Sequence, residues 1–414
     1  MRKTAKLGPP DVGILASVLL LVTVGVLLVF DASYARTGDA KWANYDVWYM
    51  AKRQMIYAAI GLAAMFMVSK VRLTTFLKIT TPLLVVAVFL LIIVMIPGIG
   101  YKIYGARRWF KLGIISFQPS EIAKLALVLY LAGIFAQRKL HVRKLSSNWL
   151  APACVIGLVS GLVFLEPDLG TTIAIVGTCF IMLVAAGAMK RHIFALGGCG
   201  VGLVGLAVLA EPYRMDRIWV WLNPWKDRYG DGYQIIHSLI ALGTGGIRGM
   251  GLCEGREKLY LPAASTDFIY ATLGEEAGLI GGIALLSLLL FFTYRGLDIG
   301  RRANSTYSNL IAVGVTSMIS IQALINIAVV SASIPATGVP LPFISYGGSA
   351  LVSMLIGTGV LLAVSRQVDV TLEGRDLYES SDNGRGDRRP HISGNKRGSS
   401  SSGRRSKRGT AVRW

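Results

Sequence analysis

The chain has 414 residues, of which 53% are hydrophobic and only 16% charged, and its mean hydropathy is +0.55. This composition is too apolar for a soluble protein of this size and indicates a membrane protein. The formal net charge is +20, and much of the positive excess lies in short loops and in the C-terminal tail.

Apolar stretches recur along the chain, and with their flanks most approach the roughly 20 residues that a bilayer-spanning helix needs. They favour helices over barrel strands, because they are long and continuously apolar and a helix satisfies its own backbone hydrogen bonds in lipid. The first stretch is longer than the apolar core of a typical signal peptide, so we expect it to remain uncleaved as a membrane span. We predict an all-α polytopic membrane protein with about ten transmembrane helices, at residues 12–30, 55–68, 79–96, 122–135, 149–165, 171–188, 193–210, 278–292, 310–332 and 351–364.

The charges of the loops predict an orientation. Basic loops alternate with the remaining loops, and the positive-inside rule places the basic set and both termini in the cytoplasm. Residues 1–367 form the predicted membrane domain. Residues 368–414 are rich in Gly, Ser and Arg and are predicted to be a disordered basic tail that attracts anionic lipids rather than nucleic acid. The basic set comprises the N-terminal leader, loops 70–72, 138–144, 190–191 and 295–302, and the tail.

Two outer segments carry cations against this rule, residues 102–124 and a long loop at about 211–275. An anionic ligand on the outer face would explain them, because Arg forks bind phosphate oxygens in pairs and Lys supplies a point charge. Salt bridges within the same loops are the alternative, and for Arg108 and Lys124 we favour the ligand. Glu121 precedes Lys124 by one helical turn, so a structural ion pair between these two also stays open.

The short outer connection between the fifth and sixth predicted spans carries two carboxyl groups, Glu166 and Asp168. Pro167 ends one helix, and an Asp before an apolar run commonly caps the next helix. Asp168 is therefore either a helix cap or part of a site, and the sequence leaves both open.

Residues 261–268 place Asp267 at the mouth of a membrane helix, with Glu275 and Glu276 shortly after it. Ionisable groups at such positions are costly and usually functional. A helix cap is the alternative for Asp267. Residues 335–349 are rich in Pro and Gly and predict a re-entrant loop, which must be buried in protein or line a cavity. Asn326, in the preceding span, is expected to bond this loop or a neighbouring helix.

Five runs in these segments resemble the signature runs of the SEDS family (shape, elongation, division and sporulation). They occur in the family's order and cover nearly the whole chain apart from the basic tail. The resemblance implies a ten-helix bacterial membrane glycosyltransferase that polymerises lipid II, a lipid-linked disaccharide, into glycan strands. The five runs are 117–124 (FQPSEIAK), 167–171 (PDLGT), 266–269 (TDFI), 275–279 (EEAGL) and 338–349 (GVPLPFISYGGS).

The resemblance implies that Asp267 is the catalytic carboxylate, the general base for the acceptor 4-hydroxyl. Arg108 and Lys124 are then expected to hold pyrophosphate. Two positions depart from the family pattern. Ser265 stands where His is frequent, and Glu166 stands where Gln is usual. Glu166 adds negative charge near Asp168. The other predicted substrate-binding residues are Glu121, Asp168, Glu276 and Ser345.

The implied partners are lipid II, a class B penicillin-binding transpeptidase, other proteins of a division or elongation complex, and membrane lipids. No cofactor is demanded; a divalent cation, Mg²⁺ or Mn²⁺, bound by Asp267 and the pyrophosphate stays open. Among the branches we favour the division (FtsW-like) branch at the septum of the bacterial cytoplasmic membrane, with the RodA-like and sporulation branches as alternatives. A lipid-linked oligosaccharide flippase and a scaffold for the transpeptidase are the competing functions.

Overall fold

The computed structural model describes residues 8–34, 48–103, 106–112, 115–137, 150–209 and 211–383. Within these ranges every one of the ten predicted spans coincides with a helix. These helices are α1 (Val12–Tyr34), α2 (Tyr49–Ser69), α3 (Leu73–Met95), α4 (Pro119–Gln137), α5 (Leu150–Leu165), α6 (Leu169–Ala185), α7 (Lys190–Leu209), α11 (Ile269–Arg302), α12 (Thr306–Val330) and α13 (Gly348–Asn383).

Six of these helices, α1, α3, α4, α11, α12 and α13, are long and apolar enough to cross a membrane. Two more, within α5 and α6, are shorter apolar helices. The centre of the bundle is formed by α4, α12 and α13, whose apolar windows are 78%, 67% and 83% buried, against 28% for α3 and α11. The structure is therefore a multi-pass membrane bundle, as the sequence predicts.

A short sheet interrupts the otherwise helical chain between α3 and α4. It consists of β1 (Tyr101–Ile103), β2 (Ala106–Leu112) and β3 (Ile115–Phe117), antiparallel in that order. Phe110 and Phe117 are cross-strand partners, and their rings stack at 6.4 Å. Cross-strand aromatic pairs stabilise small sheets. The sequence analysis predicted the outer position of this segment but no strands in it.

Three further α-helices and a short 3-10 helix (Pro224–Asp227) lie between α7 and α11. The α-helices are α8 (Pro212–Leu222), α9 (Tyr233–Gly245) and α10 (Glu257–Tyr260). Helix α11 has non-helical backbone at Gly278, where φ is +63°. The backbone of Gly249 passes against this glycine, and the amides of Leu279 and Ile280 donate to the loop carbonyls of Gly246 and Ile247 at 2.9 and 3.2 Å. Glycine is required here because a Cβ would collide with the crossing chain.

Residues 331–347, called here the proline-rich loop, contain no helix or strand. The loop is nevertheless packed inside the protein: Val339, Leu341, Phe343 and Ile344 are at most 2% exposed. This agrees with the prediction that such backbone is buried in protein.

At the C-terminal end of the chain, helix α13 extends past the last predicted span. The chain divides into two units, Met1–Thr371 and Leu372–Trp414. Helix α13 continues to Asn383, beyond the boundary that we predicted at residue 367. The rest of the predicted basic tail, 384–414, lies outside the described residues, as do the N-terminal leader and loop 138–144.

Candidate active site

The segment that carries Asp267 is fixed by side chains of α12 and the proline-rich loop. Asn326 Nδ2 donates to the Asp267 carbonyl at 2.7 Å and to the Val339 carbonyl at 2.8 Å. Asn326 thus joins α12, the proline-rich loop and the backbone of Asp267. This is the role that the sequence suggested for it.

Ser345, a predicted site residue, bonds to the peptide next to Asp267. Its hydroxyl donates to the Thr266 carbonyl at 2.5 Å and accepts from the Leu341 amide at 2.8 Å. The Tyr346 amide donates to the Ser265 carbonyl at 2.8 Å. The backbone on the N-terminal side of Asp267 is therefore held by consecutive residues of the proline-rich loop, and Ser345 contributes by positioning it.

The Asp267 carboxyl group is partly buried, and burial raises its pKa to about 6. Neighbouring Asp168 raises this pKa further, whereas Arg217 and Arg108 lower it. The cap of α11 is Phe268, and α11 has no side-chain cap. The structure thus gives no support to the capping alternative for Asp267. It brings together two predicted residues, Arg108 and Asp168, with Asp267.

Asp168 caps α6, which is one of the two roles that the sequence left open, and its part in a functional site stays a prediction. Its Oδ1 accepts from the Thr171 amide at 3.0 Å and so caps α6. Its Oδ2 accepts from Gln118 Nε2 at 3.3 Å and lies 3.7 Å from Arg108 Nη1. A single carboxylate therefore fixes the start of α6 and belongs to the charged group around Asp267.

Arg108 lies on β2 and reaches across to the connection between α5 and α6. Its Nε donates to the Glu166 carbonyl at 2.7 Å, and its Nη2 donates to the Pro167 carbonyl. The Arg108 side chain remains 27% exposed, so part of it is open to a ligand. Phosphate binding by Arg108 stays a prediction.

Glu166, whose backbone carbonyl accepts from Arg108, is buried. It is 1% exposed, and both of its carboxyl oxygens have no hydrogen-bond partner within the described part of the chain. Burial raises its pKa to about 8; the charge of Asp168 acts in the same direction and Arg108 opposes it. At neutral pH Glu166 is therefore mainly protonated. The extra negative charge expected at this position is largely absent, and Arg108 is the nearby cation.

Glu121 and Lys124 form the ion pair that was one of the alternatives for them. Lys124 Nζ lies 2.8 Å from Glu121 Oε1, and both residues are 3% exposed. Lys124 also lines a cavity of about 10 Å³ beside Thr178 and Met318. Such a volume is near the minimum for one water molecule. The roles of Glu121 and Lys124 in substrate binding stay predictions.

Glu276 belongs to a second charged group. Its Oε1 lies 2.6 Å from Lys258 Nζ, which is also 2.5 Å from Asp31 Oδ1. All three residues are at most 5% exposed. Glu275, next to Glu276, accepts from the Arg256 amide at 2.6 Å. The structure thus assigns Glu276 to the anchoring of the loop before Asp267, and substrate binding by Glu276 stays a prediction.

Arg217 is the site residue that the sequence analysis did not single out. It lies on α8, and its Nη1 donates to the Ala336 carbonyl at 2.8 Å. One turn later Trp221 Nε1 donates to the Ala332 carbonyl at 2.7 Å. The i,i+4 spacing puts both side chains on one face of α8, against the proline-rich loop. Arg217 appeared in the sequence only as one of several cations in the long loop, and an amphipathic reading of residues 212–222 could have found it.

A metal site was left open by the sequence. In the ranges that the structure describes, no group of three or more His, Cys, Asp or Glu side chains is placed to hold a metal ion. Asp168 lies 3.7 Å from the Arg108 guanidinium, and the charges of Arg217 and Arg108 act on Asp267. A divalent cation shared with a bound pyrophosphate stays a prediction.

The fold and this group of charges define a multi-pass helical membrane protein with a carboxylate and two guanidinium groups at one end of the bundle. The family model FtsW/RodA/SpoVE, described as cell cycle protein, matches residues 12–370. The chain belongs to this family.

Relatives named for two branches of the family match the chain. Stage V sporulation protein E of Bacillus subtilis is 44% identical over 368 residues, which are 88% of this chain and 99% of the relative. A probable peptidoglycan glycosyltransferase FtsW of Coxiella burnetii is 38% identical over 363 residues, 87% of this chain and 97% of the relative. The SEDS resemblance and the prediction of a membrane glycosyltransferase are confirmed.

Solved structures agree with the fold. A chain from a study of polymerization and crosslinking by a peptidoglycan synthase complex has a TM-score of 0.70 and 29% identity, covering 87% of this chain and 98% of that one. The rod shape determining protein RodA of Thermus thermophilus has a TM-score of 0.63 and 26% identity, covering 86% of this chain and 97% of that one. The all-α membrane fold is therefore the fold of the family.

Proposed function

We propose that this chain is a peptidoglycan polymerase that transfers a growing lipid-linked glycan to an acceptor lipid II and releases undecaprenyl diphosphate. The observation that carries the proposal is the surroundings of Asp267. Its pKa of about 6 leaves it mainly ionised at neutral pH yet basic enough to accept a proton. The names of the relatives, peptidoglycan glycosyltransferases among them, support the substrate class.

In the proposed reaction the acceptor 4-hydroxyl oxygen forms a bond to the anomeric carbon of the donor glycan. The bond between that carbon and the diphosphate oxygen breaks, and its electron pair leaves with the diphosphate. Asp267 takes the hydroxyl proton and later returns it to solvent. Arg108 and Arg217 are the cations next to Asp267 that can stabilise the charge developing on the leaving diphosphate, a contribution usually larger than that of the base.

The substitution Asp267→Asn tests the base. An amide keeps the size of the side chain but cannot accept the proton, so glycan-strand formation from purified lipid II should fall by about 10²–10⁴-fold. The Asp267 carboxylate caps no helix in the described residues, so the thermal unfolding temperature should change little. The conservative change Asp216→Asn, at an exposed acidic residue of α8, is the matched control. Equal polymer yields from the asparagine variant and wild type would refute the proposal.

The same reconstituted vesicles separate the polymerase from a flippase. Polymer formation without movement of fluorescent lipid II between leaflets supports the polymerase, whereas movement without polymer supports the flippase. In the structure Asp267 precedes α11, and its neighbours Arg108 and Arg217 lie on β2 and α8, outside the predicted spans. This arrangement supports chemistry at the membrane surface rather than passage through the bundle.

We propose further that the chain works with a class B penicillin-binding transpeptidase and other division proteins at the septum, with both termini in the cytoplasm. The structural relationship to a chain from a peptidoglycan synthase complex supports a partner.

The FtsW names support division, whereas the 44% identity to stage V sporulation protein E favours sporulation as the second candidate. A fluorescent fusion observed during vegetative division and during sporulation distinguishes them, and reporter fusions at each end test the orientation.

A further inference from the structure

Arg53 is a cation near the start of α2 that the reaction described so far does not use. It lies in the second turn of α2, at the end of the bundle where the proline-rich loop and the Asp267 segment lie, and it is partly exposed. Its neighbour Gln54 is fully buried and donates to the Ser345 carbonyl at 3.2 Å. Helix α2 is therefore bonded to the proline-rich loop at this level.

The surroundings of Arg53 are aromatic and hydroxylated rather than acidic. Its Nη1 donates to the Tyr49 hydroxyl at 3.0 Å, and its guanidinium carbon lies 5.3 Å from the centre of the Tyr49 ring. The Tyr346 hydroxyl also lies against this guanidinium. Among the described residues, no carboxylate is within ion-pair distance of Arg53. The guanidinium is partly exposed and faces no carboxylate of the described residues, so it is available to the oxygens of an anionic ligand.

We propose that Arg53, Tyr49 and Tyr346 form a second phosphate-binding site, which holds the diphosphate of the acceptor lipid II. A guanidinium fork with two phenol hydroxyls beside it matches the oxygens of a phosphate. This inference rests on the proposed polymerase function. That reaction requires two lipid diphosphates to be bound at once, one on the leaving donor and one on the acceptor.

The positions of Arg108 and Arg217 on the one hand, and of Arg53 on the other, suit the binding of two separate diphosphates. Arg108 and Arg217 affect the Asp267 carboxyl group directly, so they serve the diphosphate that leaves the reacting carbon. The acceptor diphosphate lies one disaccharide away from the attacking hydroxyl and must bind elsewhere. Arg53 is joined to the Asp267 segment only indirectly, through Tyr346, whose amide donates to the Ser265 carbonyl at 2.8 Å. It is thus near the base without contacting it.

Steady-state kinetics of the full-length protein in vesicles gives the first test. Arg53→Gln should raise the lipid II concentration for half-maximal rate by about tenfold, the loss expected for a charge-assisted hydrogen bond. Arg53→Lys should restore part of this loss, because it keeps the charge. The maximal rate and the pH dependence should stay as in wild type, since Asp267 is untouched. Arg72→Gln, at an exposed cation beyond the other end of α2, is the control and should behave as wild type.

Direct binding gives the second test, in the Asp267→Asn background, where turnover is blocked. Native mass spectrometry with lipid II should find two bound molecules, and the added Arg53→Gln change should weaken one of them by about tenfold. Unchanged lipid II binding would overturn the Arg53 site. Loss of phosphatidylglycerol binding with lipid II binding intact would also overturn it, because the phosphate would then come from a bulk lipid. Failure of the wild-type protein to make polymer would instead overturn the proposed function.

Discussion

Glu166 and Asp267 are two carboxyl groups that share two charged neighbours, Asp168 and Arg108, yet their protonation differs. Asp168 raises the pKa of both and Arg108 lowers the pKa of both, but only Asp267 also has Arg217 nearby. The pKa is about 8 for Glu166 and about 6 for Asp267. At neutral pH one group is mainly a neutral acid and the other mainly a carboxylate, so only Asp267 is suited to act as a base.

Glu166→Gln should therefore leave polymer formation at neutral pH within about twofold of wild type, because an amide of similar size replaces a neutral acid. Its effect should appear in stability against pH. The folded wild type keeps a proton that the unfolded chain releases above the ordinary pKa of 4.5, so its stability falls from there up to about pH 8. Between these pH values the thermal unfolding temperature should fall less steeply for Glu166→Gln than for wild type. Glu211→Gln, at an exposed carboxylate, is the control, and parallel curves for Glu166→Gln and wild type would contradict the assignment.

At the scale of elements, α8 connects the membrane surface with the proline-rich loop. One face donates through Arg217 and Trp221 to that loop. The other face exposes Trp219 and Leu222, which are 63% and 60% accessible. An exposed Trp beside a membrane span is typical of the interfacial region. The helix therefore lies where it can hold Arg217 beside Asp267.

Arg217→Gln tests this arrangement through the pH dependence of the rate. Arg217 lowers the pKa of Asp267, so its removal should raise that pKa, and the acidic limb of the pH–rate profile should move to higher pH. Arg214→Gln is the matched control on the same helix, since Arg214 stacks on Phe164 at 4.2 Å and does not affect this pKa. If the acidic limb of the pH–rate profile lay at the wild-type pH in both variants, Arg217 would have no part in setting the charge of Asp267.

The contrast between α8 and the membrane spans shows what the sequence can predict. The spans follow from long apolar runs, because the bilayer imposes one length and one kind of hydrogen bonding. The β1–β3 sheet and α8 are short, and their formation depends on packing against the loops around them. The neighbourhood of Asp267 and Arg217 arises because α8 folds back on the proline-rich loop, and spacing along the chain does not reveal this contact.

At the scale of the whole molecule, α1 is joined to α11 by ion pairs at both ends. At one end Asp31 and Glu276 share Lys258, at 2.5 and 2.6 Å. At the other, Asp11 Oδ2 accepts from Arg295 Nη2 at 2.6 Å. The Lys258 end also fixes α10, which directly precedes the segment that carries Asp267. The stability of the bundle and the position of Asp267 therefore depend on the same buried lysine.

Lys258→Met should consequently destabilise the protein by about 3–5 kcal/mol, because two buried carboxylates lose their shared cation. Asp31 Oδ2 and Glu276 Oε2 already have no partner among the described residues, which leaves them little alternative compensation. Thermal unfolding in detergent measures the loss, with Arg256→Met, at an exposed cation two residues away, as the control. Neutralising the carboxylates as well, in Asp31→Asn/Lys258→Met/Glu276→Gln, should recover much of the stability. A triple variant no more stable than Lys258→Met would show that the lysine acts through packing of its side chain rather than through its charge.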